Sequence, residues 1–209
     1  MRSHTTSDRP ARSDERRPRD VITVQLSRVV QSRALRAHPV HGKKSFTVQS
    51  FGTGDKVKLP GSAPNKPNIY DFGTTYEHIY RDLQEKDRSL YTQNGLLHML
   101  DRNRRIKPGP QRLQECSDKF DVVISCEERV YDQILEMFES REPVDNTPVH
   151  VINIDIQDNH EEATIGAFLI CDLCTQLEDS QDLEDDIDEL LQEFESKAKR
   201  QVLHCVQFY

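Results

Sequence analysis

V-H-V-I-N-I-D-I-Q-D-N-H-E-E, residues 149–162, is the stretch around which the rest of the chain can be arranged. Val149, Val151, Ile154 and Ile156 put β-branched side chains at nearly every second position, the pattern of a strand covered on both faces of a parallel sheet. The second half turns acidic. Asp155 and Asp158 fall where the strand gives out, and Asn159, Glu161 and Glu162 open an apolar helical run over 163–173, where negative charge suits the helix dipole. A carboxylate at the carboxyl end of a central strand faces the crevice in which open α/β sheets do chemistry. On these residues alone, a helix cap and a salt-bridge partner account for the same acids equally well.

Working outward, strand and helix patterns alternate. Before the central strand lie F-D-V-V-I-S-C (120–126), read as a buried strand, and a helix over 127–140 with Glu127 and Glu128 at its amino end. Three helical patterns precede these, over 75–86, 89–103 and 109–117, the second with Leu90, Asn94, Leu97 and Leu100 along one face. Further back, short strands are expected over 21–26 and 45–51. Residues 28–44 resist assignment because Pro39, Gly42 and paired lysines interrupt them. Residues 56–67 read as a long irregular connection, of the kind that is usually functional. After the central strand, 178–195 keeps an apolar stripe of Leu183, Ile187, Leu190, Leu191 and Phe194 against a solvated acidic face, and 202–209 reads as a last strand or a packed tail. The expected fold class is α/β, a three-layer sandwich with a central, mainly parallel sheet between helices.

At 209 residues the chain suits one domain, over 21–209, behind an arginine-rich leader over 1–20 whose composition predicts disorder. No apolar run approaches the ~20 residues that span a bilayer, so no membrane association is expected and the chain reads as soluble and intracellular. The five cysteines fit no disulfide framework and are expected as thiols, with Cys171 and Cys174 serving helix packing. A net charge of −8 argues against direct nucleic-acid binding. His38, His41, His98, His150, His160 and His204 show no paired ligand spacing, and neither a metal nor a diffusible cofactor is implied.

Several longer runs are specific. V-K-L-P-G (57–61), Y-D-F (70–72), Y-T-Q-N-G (91–95), H-M-L-D-R-N (98–103), R-I-K-P (105–108), C-E-E-R-V-Y-D-Q (126–133), D-I-Q-D-N-H-E-E-A-T (155–164), G-A-F-L-I-C (166–171) and I-D-E-L-L-Q-E-F-E (187–195) stand out. Through them the chain, from 51 to 209, resembles the RNA polymerase II carboxy-terminal-domain phosphatases, an Ssu-type family related to low-molecular-weight tyrosine phosphatases. The resemblance implies a protein-serine phosphatase of the nucleus, or of nucleus and cytoplasm, that acts in transcription termination and mRNA 3′-end processing. Its implied substrate is the fifth-position phosphoserine of the polymerase heptads before a cis proline. Its implied partners are the polymerase's carboxy-terminal domain, symplekin and the cleavage and polyadenylation machinery.

In that family a thiolate in a Cys-x5-Arg loop attacks phosphorus while backbone amides and the arginine hold the phosphate oxygens. An aspartic acid then protonates the leaving serine oxygen. By the resemblance Asp158 is the general acid and Asp155 its supporting carboxylate. Lys58, Leu59 and Pro60 match the loop beside the substrate, and Tyr91, Leu97 and Met99 match the wall of the peptide groove. The two apolar residues, Leu97 and Met99, fit an ordinary core equally well.

The amino-terminal part departs from the family. Six positions beyond Cys116, Cys126, Cys171 and Cys174 stand Val122, Asp132, Leu177 and Ser180, and the chain ends before that position for Cys205, so it contains no Cys-x5-Arg. Counting back without gaps from F-G-T-G (51–54), Ser27 falls at the nucleophile position and Arg33 at the arginine position, in S-R-V-V-Q-S-R. A hydroxyl is a poor nucleophile without a base, and Val29 and Val30 resist the backbone angles of an anion-binding loop. The simpler expectation is that an alternative or misassembled first segment stands here; the other is a catalytically silent relative that binds phosphopeptide or scaffold.

Overall fold

A computed structural model describes residues 21–25, 47–63, 65–157 and 159–209. The expectations for the leader 1–20, for Leu26 and for 28–44 lie outside these residues, as do Ser27, Arg33 and Asp158. A five-stranded sheet runs in the order β2-β1-β5-β6-β7: β2 (Thr47–Phe51), β1 (Val21–Gln25), β5 (Val122–Ser125), β6 (Pro148–Ile154) and β7 (Val202–Phe208). The central strand expected from 149–162 is β6, whose residues 149–154 are all buried.

Two cores explain why that strand is apolar on both sides. Val123, Val149 and Val151 face α3 (Glu128–Glu139), meeting Val130, Tyr131, Ile134, Met137 and Phe138. Val122, Ile124, Ile152 and Ile154 point the other way, onto α4 (His160–Asp179) and α5 (Leu183–Ala198), where Leu173, Leu177, Ile187, Leu191 and Phe194 close the layer. The strand's period of two thus feeds two separate clusters. Each fully buried Val or Ile contributes roughly 1.5–3 kcal/mol by leaving water. Cys174 joins the second core, and burial pushes its thiol up to about 11, whereas Cys171 on the same helix is exposed.

The sheet is mixed, which corrects the expectation of a mainly parallel one. Among the described strands only β5 and β6 pair in parallel; β1 is antiparallel to both β2 and β5, and β7 is antiparallel to β6. One helix, α3, lies between β5 and β6 and returns the chain to its starting end. Two consecutive helices, α4 and α5, lie between β6 and β7, so the chain re-enters the sheet from the opposite end. Both helices were expected from the sequence; the antiparallel return that a consecutive pair produces was not.

Three further assignments change. Inside the connection expected to be irregular, β3 (Val57–Leu59) and β4 (Asn68–Tyr70) form a small antiparallel pair, too short for alternation to be legible. The helices expected over 75–86 and 89–103 become α1 (Tyr76–Gln93), kinked at Asp87 (φ −164°, ψ 91°), and α2 (Leu96–Ile106). The third helical pattern, over 109–117, reduces to one 3₁₀ turn, Leu113–Glu115. Its backbone is used elsewhere: the Gly52 N–H donates to Gln111 C=O at 2.9 Å, and the Leu113 N–H donates to Gly52 C=O at 3.0 Å. Among the described residues no helix is long and apolar enough to cross a membrane.

Between β6 and β7, the rings of His150 and His204 stack, with His150 Nδ1 3.1 Å from His204 Nε2. Burial holds the His204 pKa below its ordinary 6.5, and Asp188 on α5 only partly offsets this. A folded-state pKa below the unfolded value means that the unfolded chain binds the proton more readily. The contribution of this pair is therefore full above pH 6.5 and is lost as pH falls below it. Tm is expected to drop from pH 7.5 to 5.5, and to drop less in His204→Gln, as thermal melts at the two pH values would show.

Candidate functional site

The turn after β2 begins the site. Gly52 is closely packed: a Cβ there would lie 3.0 and 3.2 Å from atoms of the Phe72 ring, so the ring would have to give way by a few tenths of an ångström. The turn is braced on two sides: Thr53 Oγ1 donates to Gln133 Oε1 on α3 at 2.7 Å, and Gln114 Nε2 donates to Thr53 C=O at 2.8 Å. Arg112 adds a hydrogen bond to Gly54 C=O at 3.1 Å and an ion pair with Asp55 at 2.7 Å. Between this turn, β3, α2 and the amino end of α3 lies a cavity of about 560 Å³.

Strand alternation sets which side chains meet the cavity. Val57 and Leu59 are buried and Lys58 is exposed, and all three line it together with Met99 from α2. Lys58 makes no hydrogen bond or ion pair among the described residues, whereas Lys56 pairs with Asp71 and Lys107 donates to Ser50 C=O. Glu127 and Arg129 line the cavity from α3, 3.4 Å apart in an ion pair, with the Glu127 side chain only 7% exposed.

Pro60, Tyr91 and Leu97 stand behind the cavity rather than along it. Asn68 Nδ2 lies 2.9 Å from both Pro60 C=O and Tyr91 Oη, and Lys86 Nζ donates to Asn68 Oδ1 at 3.1 Å. Buried Asn68 therefore fixes the proline of the loop to the tyrosine of α1. Leu97 packs in the same core as Leu59 and Tyr91, with Met99 at its edge. Asn68, Glu127, Arg129 and Gln133 were missed as site residues. The last three sit inside C-E-E-R-V-Y-D-Q, which signalled resemblance but not which side chains face inward.

At the carboxyl ends of the two parallel strands, Ser125 Oγ donates to Asn153 Oδ1 at 2.8 Å, both side chains buried. The Ile156 N–H donates to Cys126 C=O at 3.1 Å, and the Asn159 side chain caps α4 by accepting from the Glu162 N–H at 2.8 Å. Asp155 is exposed in the turn between these anchors and is not among the cavity-lining residues. Among the described residues, no group of three or more His, Cys, Asp or Glu is arranged to hold a metal ion.

The same turn leans on α4 at Gly166. A Cβ there would lie 2.3 Å from Ile156 Cδ1 and 3.0 Å from both Cγ1 and Cγ2, so no single rotation of Ile156 clears it. Overpacking of this kind costs about 1–3 kcal/mol, against ~1 kcal/mol of helix propensity gained by alanine. Gly166→Ala is expected to lower the urea midpoint, by a net loss of up to ~2 kcal/mol, and Ile156→Ala is expected to restore part of it.

The fold and the cavity define a mixed α/β protein in which a lysine with no partner among the described residues lines a cavity of about 560 Å³. The chain belongs to the Ssu72-like protein family, whose pattern matches residues 22–209. The RNA polymerase II C-terminal domain phosphatase SSU72 of Xenopus laevis is 64% identical over 179 residues, 86% of this chain and 92% of that protein. The human SSU72 like protein 3 is 53% identical over 192 residues, 92% of this chain and 98% of that protein. Among solved structures, Drosophila melanogaster Ssu72 with Symplekin, bound to a cis peptidomimetic of a C-terminal-domain peptide phosphorylated on its fifth-position serine, is 57% identical with a TM-score of 0.73. That match covers 76% of this chain and 83% of the Drosophila chain.

Proposed function

We propose that this protein is a protein-serine phosphatase of the RNA polymerase II carboxy-terminal domain. It takes the fifth-position phosphoserine heptad and works alongside symplekin in the nucleus, in transcription termination and mRNA 3′-end processing. The observation that carries this reading is the match over residues 22–209 to relatives named for that activity. The placement of Lys58 adds support, because an ammonium with no partner among the described residues, lining the cavity, suits a phosphorylated peptide. In this reading Lys58, Leu59, Pro60 and Met99 form the substrate side, backed by Tyr91 and Leu97. Asp158 is the general acid, Asp155 its supporting carboxylate, and Ser27 and Arg33 occupy the nucleophile and arginine positions. Residues 21–209 form one phosphatase-like domain, layered as helix, sheet and helix.

One observation favours a second reading: none of the five cysteines is followed by arginine at the sixth position. In that reading the groove binds phosphorylated heptads, or a scaffold, without turning them over. Phosphate release from a doubly repeated phosphoserine heptad, followed beside calorimetric titration of the same peptide, separates the two. Heat with phosphate release supports the phosphatase, and heat without release supports the binding module. Neither heat nor release at micromolar peptide rejects both.

A further inference from the structure

The connection between β6 and α4 is closed by a residue from a distant part of the chain. Arg200 Nη1 donates to Asp155 C=O at 3.3 Å, and Arg200 Nη2 donates to Glu162 Oε1 at 3.1 Å and lies 2.8 Å from Oε2. One guanidinium thus spans the residue just after β6 and the first turn of α4. The contact is sheltered, with the Arg200 and Glu162 side chains 24% and 22% exposed. Arg200 is itself delivered by a built corner. Lys199 ends α5 in the left-handed region (φ 54°, ψ 37°), and the Val202 N–H donates to the Glu195 carboxylate at 2.6 Å as β7 begins.

We infer that Arg200 is the positioning residue that holds the turn between β6 and α4, and through it Asp158, in working register. This rests on the reading of Asp158 as the general acid. Other hydrogen bonds of this stretch are local or reach one end of it: the Ile156 N–H donates to Cys126 C=O, the Asn159 N–H donates to Gln157 C=O at 2.8 Å, and the Asn159 side chain caps α4. Arg200 ties the two ends to each other. A planar, two-pronged cation can grip a carbonyl and a carboxylate together, which a lysine ammonium does less well. A general acid has to stand within hydrogen-bond reach of the oxygen it protonates, and displacement by about 1 Å costs on the order of 10²-fold in rate.

The test uses Arg200→Ala and Arg200→Lys in the full chain, with two readouts. Amide hydrogen exchange over 156–162 is expected to quicken at least ~10-fold in Arg200→Ala and by less in Arg200→Lys, with α3 and β5 unchanged. Unchanged exchange over that segment overturns the inference. Turnover adds a signature of acid catalysis. A serine alkoxide needs its proton as it leaves, whereas p-nitrophenolate leaves without one. Arg200→Ala is therefore expected to lower kcat on the phosphoserine heptad at least ~10-fold, with KM and p-nitrophenyl phosphate turnover changed by less than ~3-fold. Equal losses on both substrates overturn the positioning role. If the parent chain turns over neither substrate, the phosphatase reading has failed on its own account and the exchange result decides the role of Arg200.

Discussion

Ser27→Cys in the full-length chain is expected to raise hydrolysis of p-nitrophenyl phosphate at neutral pH by ~10²-fold or more. A thiol with an ordinary pKa near 8.5 is already a few per cent thiolate at pH 7, and positive charge or backbone amides around it raise that share. A serine hydroxyl with no base beside it supplies almost no alkoxide. Ungapped counting from F-G-T-G (51–54) puts position 27 where the family carries its nucleophile and puts Arg33 six residues on. If residues 27–33 form the loop despite Val29 and Val30, with Arg33 on the phosphate, the sulfur atom is what that loop lacks. Unchanged turnover in Ser27→Cys would mean that residues 27–33, with Val29 and Val30 among them, do not turn their amides inward around an anion. The binding module would then be the reading to follow.

In that Ser27→Cys protein, Asp158→Asn is expected to lower kcat on a phosphoserine heptad ~10²–10⁴-fold, the usual range for loss of a positioned acid. The loss on p-nitrophenyl phosphate should be much smaller, because a good leaving group needs no proton. The pH profile provides a second check. An acid acts only while protonated, so the parent rate falls as pH rises through its pKa, and asparagine has no such limb. A profile of kcat/KM that keeps its alkaline limb in Asp158→Asn would move the acid role to another residue. Asp155, three residues earlier and exposed, would be the first to examine.

Much of the layout was legible because it follows from local periodicity. β5, β6, α3 and the apolar stripe of α5 were readable from alternation and from i, i+4 spacing, since each buries one face or both against a neighbouring layer. The small strands β3 and β4 were not, because three residues cannot display a period. The apparent helix over 109–117 was misread because backbone pairing with Gly52 competes with helix hydrogen bonds, and no local pattern reports that. Strand direction was misjudged for a similar reason. It depends on which end of the sheet the chain re-enters, which the two helices read over 163–173 and 178–195 do not display locally.

The candidate site divides along the same line. The chain's residues alone identified the family and the absence of a Cys-x5-Arg, and placed the carboxylates of 155–162 just after an apolar strand, because residue identity and spacing are properties of the chain. Tertiary structure alone decided that Lys58 lines a cavity with no partner among the described residues while Tyr91 and Leu97 pack behind it, that Asn68 joins Pro60 to Tyr91, and that buried Glu127 and exposed Arg129 line the cavity as an ion pair. It alone brought Arg200 to Asp155 and Glu162, across 45 and 38 residues of sequence. Such contacts depend on where two packed layers meet, and that is set by how the buried faces of distant elements fit together.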